Sequence, residues 1–486
     1  MTRTKRDRRH DPALLRRTAE LAIDYLEALP ESPVRANQDV AALRATLCGP
    51  LPEEPSDPLG VIESLARDAA PGLIALAGPR YFGFVIGGGV PAAVAADWLT
   101  SAWDQNAGLY VAGPAASVVE EAVGAWLIEM FGLPPQSGYG FVTGCQMAHF
   151  TCLAAARHAV LARTGWDVEA DGLFEAPPIE VIVGGEAHAT IHAALQYLGM
   201  GRDRVHVVPT DEQGRMRADL FEQALAAIPA GRPLIVCVQA GNVNSGAFDP
   251  IASIIDATRR REGAWVHVDG AFGLWARLSP STAGLLEGME RADSWASDGH
   301  KWLNVPYDSG LAFVADPLAH AAAMSPPNAP YLQYTSTGQR DEEQWVPEYS
   351  RRARGFALYA AIRSLGRQGI QEMVERCCSV AREIAKTLSA TPGVEILNDV
   401  VLNQVLVRFI VPGGDQAAGD RLTRAVVQDI QDEGTIWLSG TTWHGVAAIR
   451  ISVSNWATGP DEAEIAVAAI LRAADRGRAR SGDIRG

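Results

Sequence analysis

Lys301 stands in the run Ser297-Asp298-Gly299-His300-Lys301-Trp302, and with Lys5 and Lys386 it is one of only three lysines among 42 basic residues. An arginine stays charged, whereas a lysine amine can shed its proton and condense with an aldehyde. Asp269 closes a second apolar run, Trp265-Val266-His267-Val268, and is followed by Gly270-Ala271-Phe272-Gly273. A carboxylate at the carboxyl end of a parallel strand points into the crevice where such sheets take ligands. His188, in Gly184-Gly185-Glu186-Ala187-His188-Ala189-Thr190, follows another apolar run. An imidazole there can stack on a flat ring or bond a carboxylate. Val142-Thr143-Gly144-Cys145-Gln146-Met147-Ala148 leads into an amphipathic segment whose first amides would form a phosphate site. An amine, an acid, a ring support and a phosphate cradle are what pyridoxal phosphate asks of a protein. Each has a plain alternative: a surface lysine, a turn aspartate, a structural histidine, an ordinary Thr-Gly helix start. Their occurrence together in one region favours the cofactor.

The elements that would position these residues are legible as apolar runs alternating with helical patterns. Between Phe141 and Val314 the runs are Val181–Val183, Val205–Val208, Leu234–Val238, Trp265–Val268, Asp293–Trp295 and Leu311–Val314. Helical patterns, such as Leu220–Ile228 and Pro250–Arg261, separate most of them, which predicts a mostly parallel sheet covered on both faces. Upstream, Leu15, Ala19, Ala22, Ile23 and Leu26 form one stripe of a helix that Pro30 ends. Pro50, Pro52, Pro55 and Pro58 mark an extended connection. A further helix is expected from Pro114 to Gly132. Downstream, helices near 352–365 and 370–388 lead to the runs Val405–Phe409 and Ala448–Val453, with helices at Asp420–Glu433 and from Pro460. The expected division is 1–95 helical, 96–369 a large α/β domain, and 370–486 a small α+β domain.

Composition narrows the class. The charges sum to 42 − 57 = −15, an acidic balance that argues against a nucleic-acid partner. No apolar run is long enough to span a bilayer, and no secretory segment follows the basic start Arg3–His10, which reads as a solvated tail. A cytoplasmic protein without a membrane partner is expected. The six cysteines show no CxxC pairing and no histidine at metal spacing, so no metal site is expected, and Cys152 and Cys237 read as small core residues.

The order Thr-Gly-Cys-Gln-Met-Ala, Ala-His, His-Val-Asp-Gly-Ala-Phe-Gly and Asp-Gly-His-Lys-Trp resembles the group II pyridoxal-phosphate decarboxylases, from Tyr81-Phe82-Gly83-Phe84 to Arg450–Asn455. The resemblance implies a type I aminotransferase-like fold and a homodimer with active sites at the subunit interface. It implies that Lys301 holds the cofactor as a Schiff base, Asp269 faces the pyridine nitrogen and His188 stacks on the ring, with Ala271 on the other face. Gly144, Cys145, Gln146, Asp298 and His300 fall on the phosphate side, where the usual glycine and serine are missing and backbone amides carry the binding. Asn242 falls where the family often has threonine. Tyr331, beside Leu332, matches a loop tyrosine that returns a proton to the substrate carbon; its alternative is an ordinary surface tyrosine. Phe84, Asn106 and Gly108 fall on the substrate wall, the last two making it more polar and open than in aromatic decarboxylases. Arg450 contacts a carboxylate or serves a structural ion pair.

The expected activity is decarboxylation of an L-amino acid with an aromatic or other bulky side chain, giving amine and CO₂. The rivals are an aldehyde-forming oxidative decarboxylation-deamination, an elimination or aldol reaction on the same scaffold, and a non-catalytic binding protein.

Overall fold

Asp11 accepts a hydrogen bond from the Ala13 N–H, and Pro12 takes the first helical position, so the chain's first helix, α1 (Pro12–Ala28), starts on a side-chain cap. The computed structural model describes residues 10–325 and 338–483, with side chains to residue 480. Aspartate caps likewise open α2 (Val40–Leu47) and α3 (Pro58–Ala69). Then come α4 (Pro91–Trp103) and α5 (Pro114–Phe131), the latter stopped by Gly132 in the left-handed region, as its sequence predicts.

The large sheet follows. Its strands are β1 (Gly138–Val142), β2 (Glu180–Gly184), β3 (His206–Val208), β4 (Leu234–Gln239), β5 (Trp265–Asp269), β6 (Ser294–Asp298) and β7 (Gly310–Val314). They lie in the order β1-β7-β6-β5-β4-β2-β3. All run parallel except β7, which is antiparallel to both its neighbours. The intervening helices are α6 (Cys145–Ala162), α7 (Val168–Asp171), α8 (Ala189–Tyr197), α9 (Ala218–Ala227), α10 (Ile251–Thr258) and, after β7, α11 (Pro317–Met324).

Successive strand side chains point to opposite faces, and the two cores follow that alternation. Val236, Val238, Val266, Val268, Trp295 and Phe313 belong to one apolar cluster. Ile235, Cys237, Trp265, Ala296, Ala312 and Val314 belong to the other, which α6 covers. Trp265 and Trp295 are both fully buried, and emptying either position should cost about 3–5 kcal/mol.

The chain then runs through α12 (Gly355–Ser389), one continuous element where the sequence suggests two. That element is nonetheless two helices, as the sequence suggests, joined at a non-helical break at Gly366, whose positive φ of 63° suits a residue without a Cβ. A second sheet, β10 (Ser439–Trp443), β11 (Val446–Ser452), β9 (Gln404–Phe409) and β8 (Val394–Ile396), is antiparallel throughout. Helices α13 (Gln416–Glu433) and α14 (Pro460–Asp483) complete this part. The mostly parallel seven-stranded sheet and the small α+β part are the type I aminotransferase-like arrangement expected.

The apolar stripe of α1 finds no core within this chain: α1 buries no residue, and Leu15, Ile23 and Leu26 stay exposed.

Candidate active site

The carboxyl ends of β2, β4 and β5 open onto a cleft lined by Gly184, Ala187, His188, Gln239 and Asp269 among others. Asp269 is the last residue of β5 and is nearly fully buried; its Oδ1 accepts from the Ala271 N–H at 3.2 Å. His188 is the N-cap of α8, and its Nδ1 meets Thr190 Oγ1 at 2.7 Å and the Thr190 N–H at 3.3 Å. That use of Nδ1 as an acceptor from backbone leaves Nε2 to carry the proton. Burial pushes the His188 imidazole below its ordinary value, against the opposing pull of Asp269. Lys301, Arg450 and Asp298 also act on its ionisation, so the structure brings these three and Asp269 around one imidazole.

Lys301 lies three residues past β6, in the turn that begins at Gly299. Its Nζ sits 3.0 Å from Asp298 Oδ2. Burial, the largest influence, would push the amine down, but Asp298 beside it, together with Cys145 and Asp269, outweighs burial and raises it above the usual lysine value. The same carboxylate faces His300, whose Nε2 is 3.5 Å from Asp298 Oδ1. His300 Nδ1 accepts from the Ser309 N–H at 3.0 Å, which fixes its proton on Nε2. Gly87 packs so tightly on this turn that a Cβ would fall 2.0 Å from the Lys301 carbonyl oxygen.

At the start of α6, Gly144 carries no side-chain cap, so the amides of Cys145 and Gln146 open the helix without one. Gly144 also lies against His300 and Asp298, where a Cβ would meet the imidazole at 3.4 Å and Asp298 Oδ1 at 3.7 Å. The segments that sequence assigns to phosphate therefore do converge.

Other nominated residues are placed differently. Asn242 is buried, but it spends its side chain on its own turn: Nδ2 donates to Gln239 Oε1, and Oδ1 accepts from the Asn244 and Ser245 N–H groups. Asn106 Oδ1 accepts from the Gly108 and Arg351 N–H groups, and the Gly108 carbonyl accepts from Glu343 N–H. Among the described residues no hydrogen bond or ion pair links Asn106 or Gly108 to Lys301, His188 or Asp269. Phe84 is about half exposed, has a φ of 48°, and stacks on Trp437, whose other neighbour is Tyr81. Arg450 is buried beside them on β11. It donates to the Val243 carbonyl at 3.3 Å and has no carboxylate partner among the described residues, which removes the structural ion pair considered for it. Tyr331 lies outside the described residues.

Sequence reading missed the groups beneath Asp269. Cys145 and His149 are four apart on α6, and Cys145 Sγ lies 3.4 Å from His149 Nε2. With Asp269 they place a thiol, an imidazole and a carboxylate within 4.8 Å of one another, so the expectation of no histidine at ligand spacing near a cysteine does not hold. The i, i+4 spacing was the available signal.

A lysine after β6, an acid ending β5 and an imidazole after β2, on a sheet of this order, define the aminotransferase-like class of pyridoxal-phosphate proteins. The model of the pyridoxal-dependent decarboxylase conserved domain matches residues 42–410. An aromatic-L-amino-acid decarboxylase of Bacillus atrophaeus is 27% identical over 450 residues, 91% of each chain. A phenylacetaldehyde synthase of Arabidopsis thaliana is 23% identical over 443 residues, 88% of this chain and 89% of its own. The crystal structure of Oryza sativa TDC with PLP and tryptamine superposes with a TM-score of 0.88 at 23% identity, covering 96% of this chain and 99% of that one. The chain belongs to the pyridoxal-dependent decarboxylase family and is a pyridoxal-phosphate-dependent carboxy-lyase.

The residues present fit that cofactor. The uncapped amides that open α6 lie beside His300, and Lys301 and Asp269 both lie within electrostatic reach of His188.

Proposed function

We propose that this protein removes the α-carboxylate of an L-amino acid with an aromatic or other bulky side chain, releasing CO₂ and the amine. The observation that carries the reading is Arg450: a buried cation without a carboxylate partner among the described residues, within electrostatic reach of His188. It is a receptor for a substrate carboxylate, and Phe84 with its Trp437–Tyr81 stack supplies an apolar wall nearby. The aromatic decarboxylases among the relatives support the same substrate class.

In this reading Lys301 is the amine that holds the cofactor aldehyde. The amides of Cys145 and Gln146, with His300, take the phosphate. Bound pyridoxal phosphate supplies the electron sink for the pair left when CO₂ departs. Asp269 keeps the ring nitrogen protonated, and His188 orients the carboxylate that leaves. Tyr331 returns the proton to Cα. Lys301 must give up the proton that Asp298 helps it hold before it can react.

The protein acts as a homodimer. Exposed apolar side chains on its N-terminal helices, among them Leu15, Ile23, Val61, Leu65, Trp98 and Trp103, support this. The substrate-wall residues Asn106 and Gly108 then serve the partner's site. Six free thiols, five of them buried, suit the reducing cytoplasm.

The aldehyde synthase among the relatives motivates a second reading, in which CO₂ loss is followed by oxidation. The test is an amino-acid panel assayed at once for CO₂, amine, ammonia and peroxide. Amine and CO₂ in equal amounts support the proposal; aldehyde, ammonia and peroxide without amine replace it with the second reading.

A further inference from the structure

Trp265, His267 and Asp269 alternate along β5 and so share one face, the face covered by α6. Register pairs His267 with Ser294 on β6. From these placements follows a run of buried polar contacts that neither the fold nor the proposed chemistry explains. Trp265 Nε1 donates to Ser294 Oγ at 2.9 Å. Ser294 Oγ lies 2.9 Å from His267 Nδ1, His267 Nε2 lies 2.9 Å from His149 Nδ1, and His149 Nε2 lies 3.5 Å from Asp269 Oδ1. His149, His267 and Ser294 are fully buried.

The carboxylate end sets the direction, and the indole end is compatible with it. An indole nitrogen can only donate, so Ser294 Oγ accepts from Trp265 and keeps its own proton available to His267 Nδ1. At the other end an ionised carboxylate can only accept, so the 3.5 Å approach of His149 Nε2 to Asp269, at the outer limit of a hydrogen bond, favours Nε2–H and leaves Nδ1 as an acceptor. His267 then carries its proton on Nε2, which the contact with Ser294 allows. The rings meet edge to face, 87° apart, which places the nitrogens end to end. Both imidazoles are neutral: burial holds His149 well below its ordinary value and pushes His267 down to about 3.

Resting on the reading that Asp269 faces the ring nitrogen, we infer that Trp265, Ser294, His267 and His149 form a one-way hydrogen-bond wire that holds Asp269 as an oriented carboxylate. His149, His267 and Ser294 are positioning residues, acting through Asp269. A neutral wire has a particular merit here. It delivers a donor to the carboxylate and stabilises its charged form, yet adds no cation to compete for the proton on the ring nitrogen. Cys145, 3.4 Å from the same His149 nitrogen, closes the end of the wire from the helix side. Burial, with the nearby carboxylates of Asp298 and Asp269, keeps the thiol well above its ordinary value and therefore neutral.

Two measurements on the full-length protein test this. The first is the ¹⁵N spectrum of histidine-labelled protein, which should show His149 and His267 as neutral imidazoles protonated on Nε2. A His149 protonated on Nδ1, or a charged His149, overturns the wire. The second compares affinity for pyridoxal phosphate with affinity for its carbocyclic analogue, in which C–H replaces the ring nitrogen. His149→Leu should weaken pyridoxal phosphate on the order of tenfold, the loss of one charge-assisted hydrogen bond, and leave the analogue within about twofold. His149→Gln, whose amide can still donate, should recover most of the difference. Equal weakening of both ligands, or of neither, overturns the inference, because a packing defect does not distinguish N from C–H. Should His149→Leu fail to fold, Ser294→Ala is the second variant, expected to move His267 off the pure Nε2–H form; an unchanged His267 signal overturns the wire. Wild-type protein that binds neither ligand would sink the cofactor-site reading instead, a separate result.

Discussion

Along β5, Val266 and Val268 are buried on one face and Trp265 and His267 on the other, so every side chain has its partner within the chain. Helices α1, α2 and α3, with comparable apolar residues, do not fully bury one side chain among them. Ion pairs such as Arg17–Glu63, at 3.1 Å, tie α1 to α3, but Leu15, Ile23, Val40, Leu47 and Leu65 remain exposed. The difference teaches where each part gets its hydrophobic free energy. At about 25 cal/mol per Å² of apolar surface removed from water, the sheet has already gained what it can. The helices still have theirs to gain from a second surface. Lys301, Asp269 and His188 are placed by one chain, while the proposed homodimer would give the N-terminal helices their second surface.

The largest expected effect tests the self-contained part. Lys301→Ala should lower amine formation by roughly 10³-fold or more with the fold intact by circular dichroism, since a covalent anchor is lost. Retention of a tenth of wild-type turnover would remove Lys301 from its role. Next, at the boundary of the two regions, Arg450→Met should raise KM for the amino acid by roughly 30-fold, with a smaller change in kcat, the loss of a buried charge-assisted contact. An unchanged KM would return Arg450 to a structural part.

Ile23→Glu with Leu65→Glu breaks the comparison from the other side. Light scattering should show dimer converting to monomer, while far-ultraviolet circular dichroism is unchanged because both sites are exposed within the chain. A dimer that persists would show that these helices meet no partner.

The smallest effect concerns acid. Burial pushes His267 and His320 down to about 3, against about 6.5 in an unfolded chain. Below about pH 6.5 the unfolded state takes up protons that the folded state refuses. Stability therefore falls as pH falls, by up to about 1.4 kcal/mol per pH unit for each histidine, until about pH 3. His320→Asn should make the melting temperature less sensitive to pH between about 6.5 and 4.5. An unchanged slope would show that His320 is not held neutral.

The α/β architecture was legible because a strand buried on both faces needs a continuous apolar run, and β2, β4, β5 and β7 have one. Strands β8 and β10 were not, since Ser439–Trp443 is polar and half-exposed and Val394–Ile396 is only three residues long. The α1 stripe was legible as an apolar face, but periodicity shows only that a face is apolar and not what covers it. Lys301, Asp269 and His188 were legible by residue type at strand ends, and the structure brings them within electrostatic reach of one another; their roles are the proposal made above. The wire was hidden for a geometric reason. His149 and His267 are 118 residues apart, and only the β5–β6 register and the lie of α6 bring them into contact.

The Lys301–Asp298 pair carries one more consequence. An amine stored as its ammonium has no lone pair to offer, so the empty protein is chemically quiet toward stray carbonyl compounds. In the role proposed for Lys301, cofactor loading would be gated by that proton, speeding by up to about tenfold for each unit of rise in pH below the amine's own titration. The carboxylate that makes the lysine reluctant would then also keep it from being spent on the wrong aldehyde.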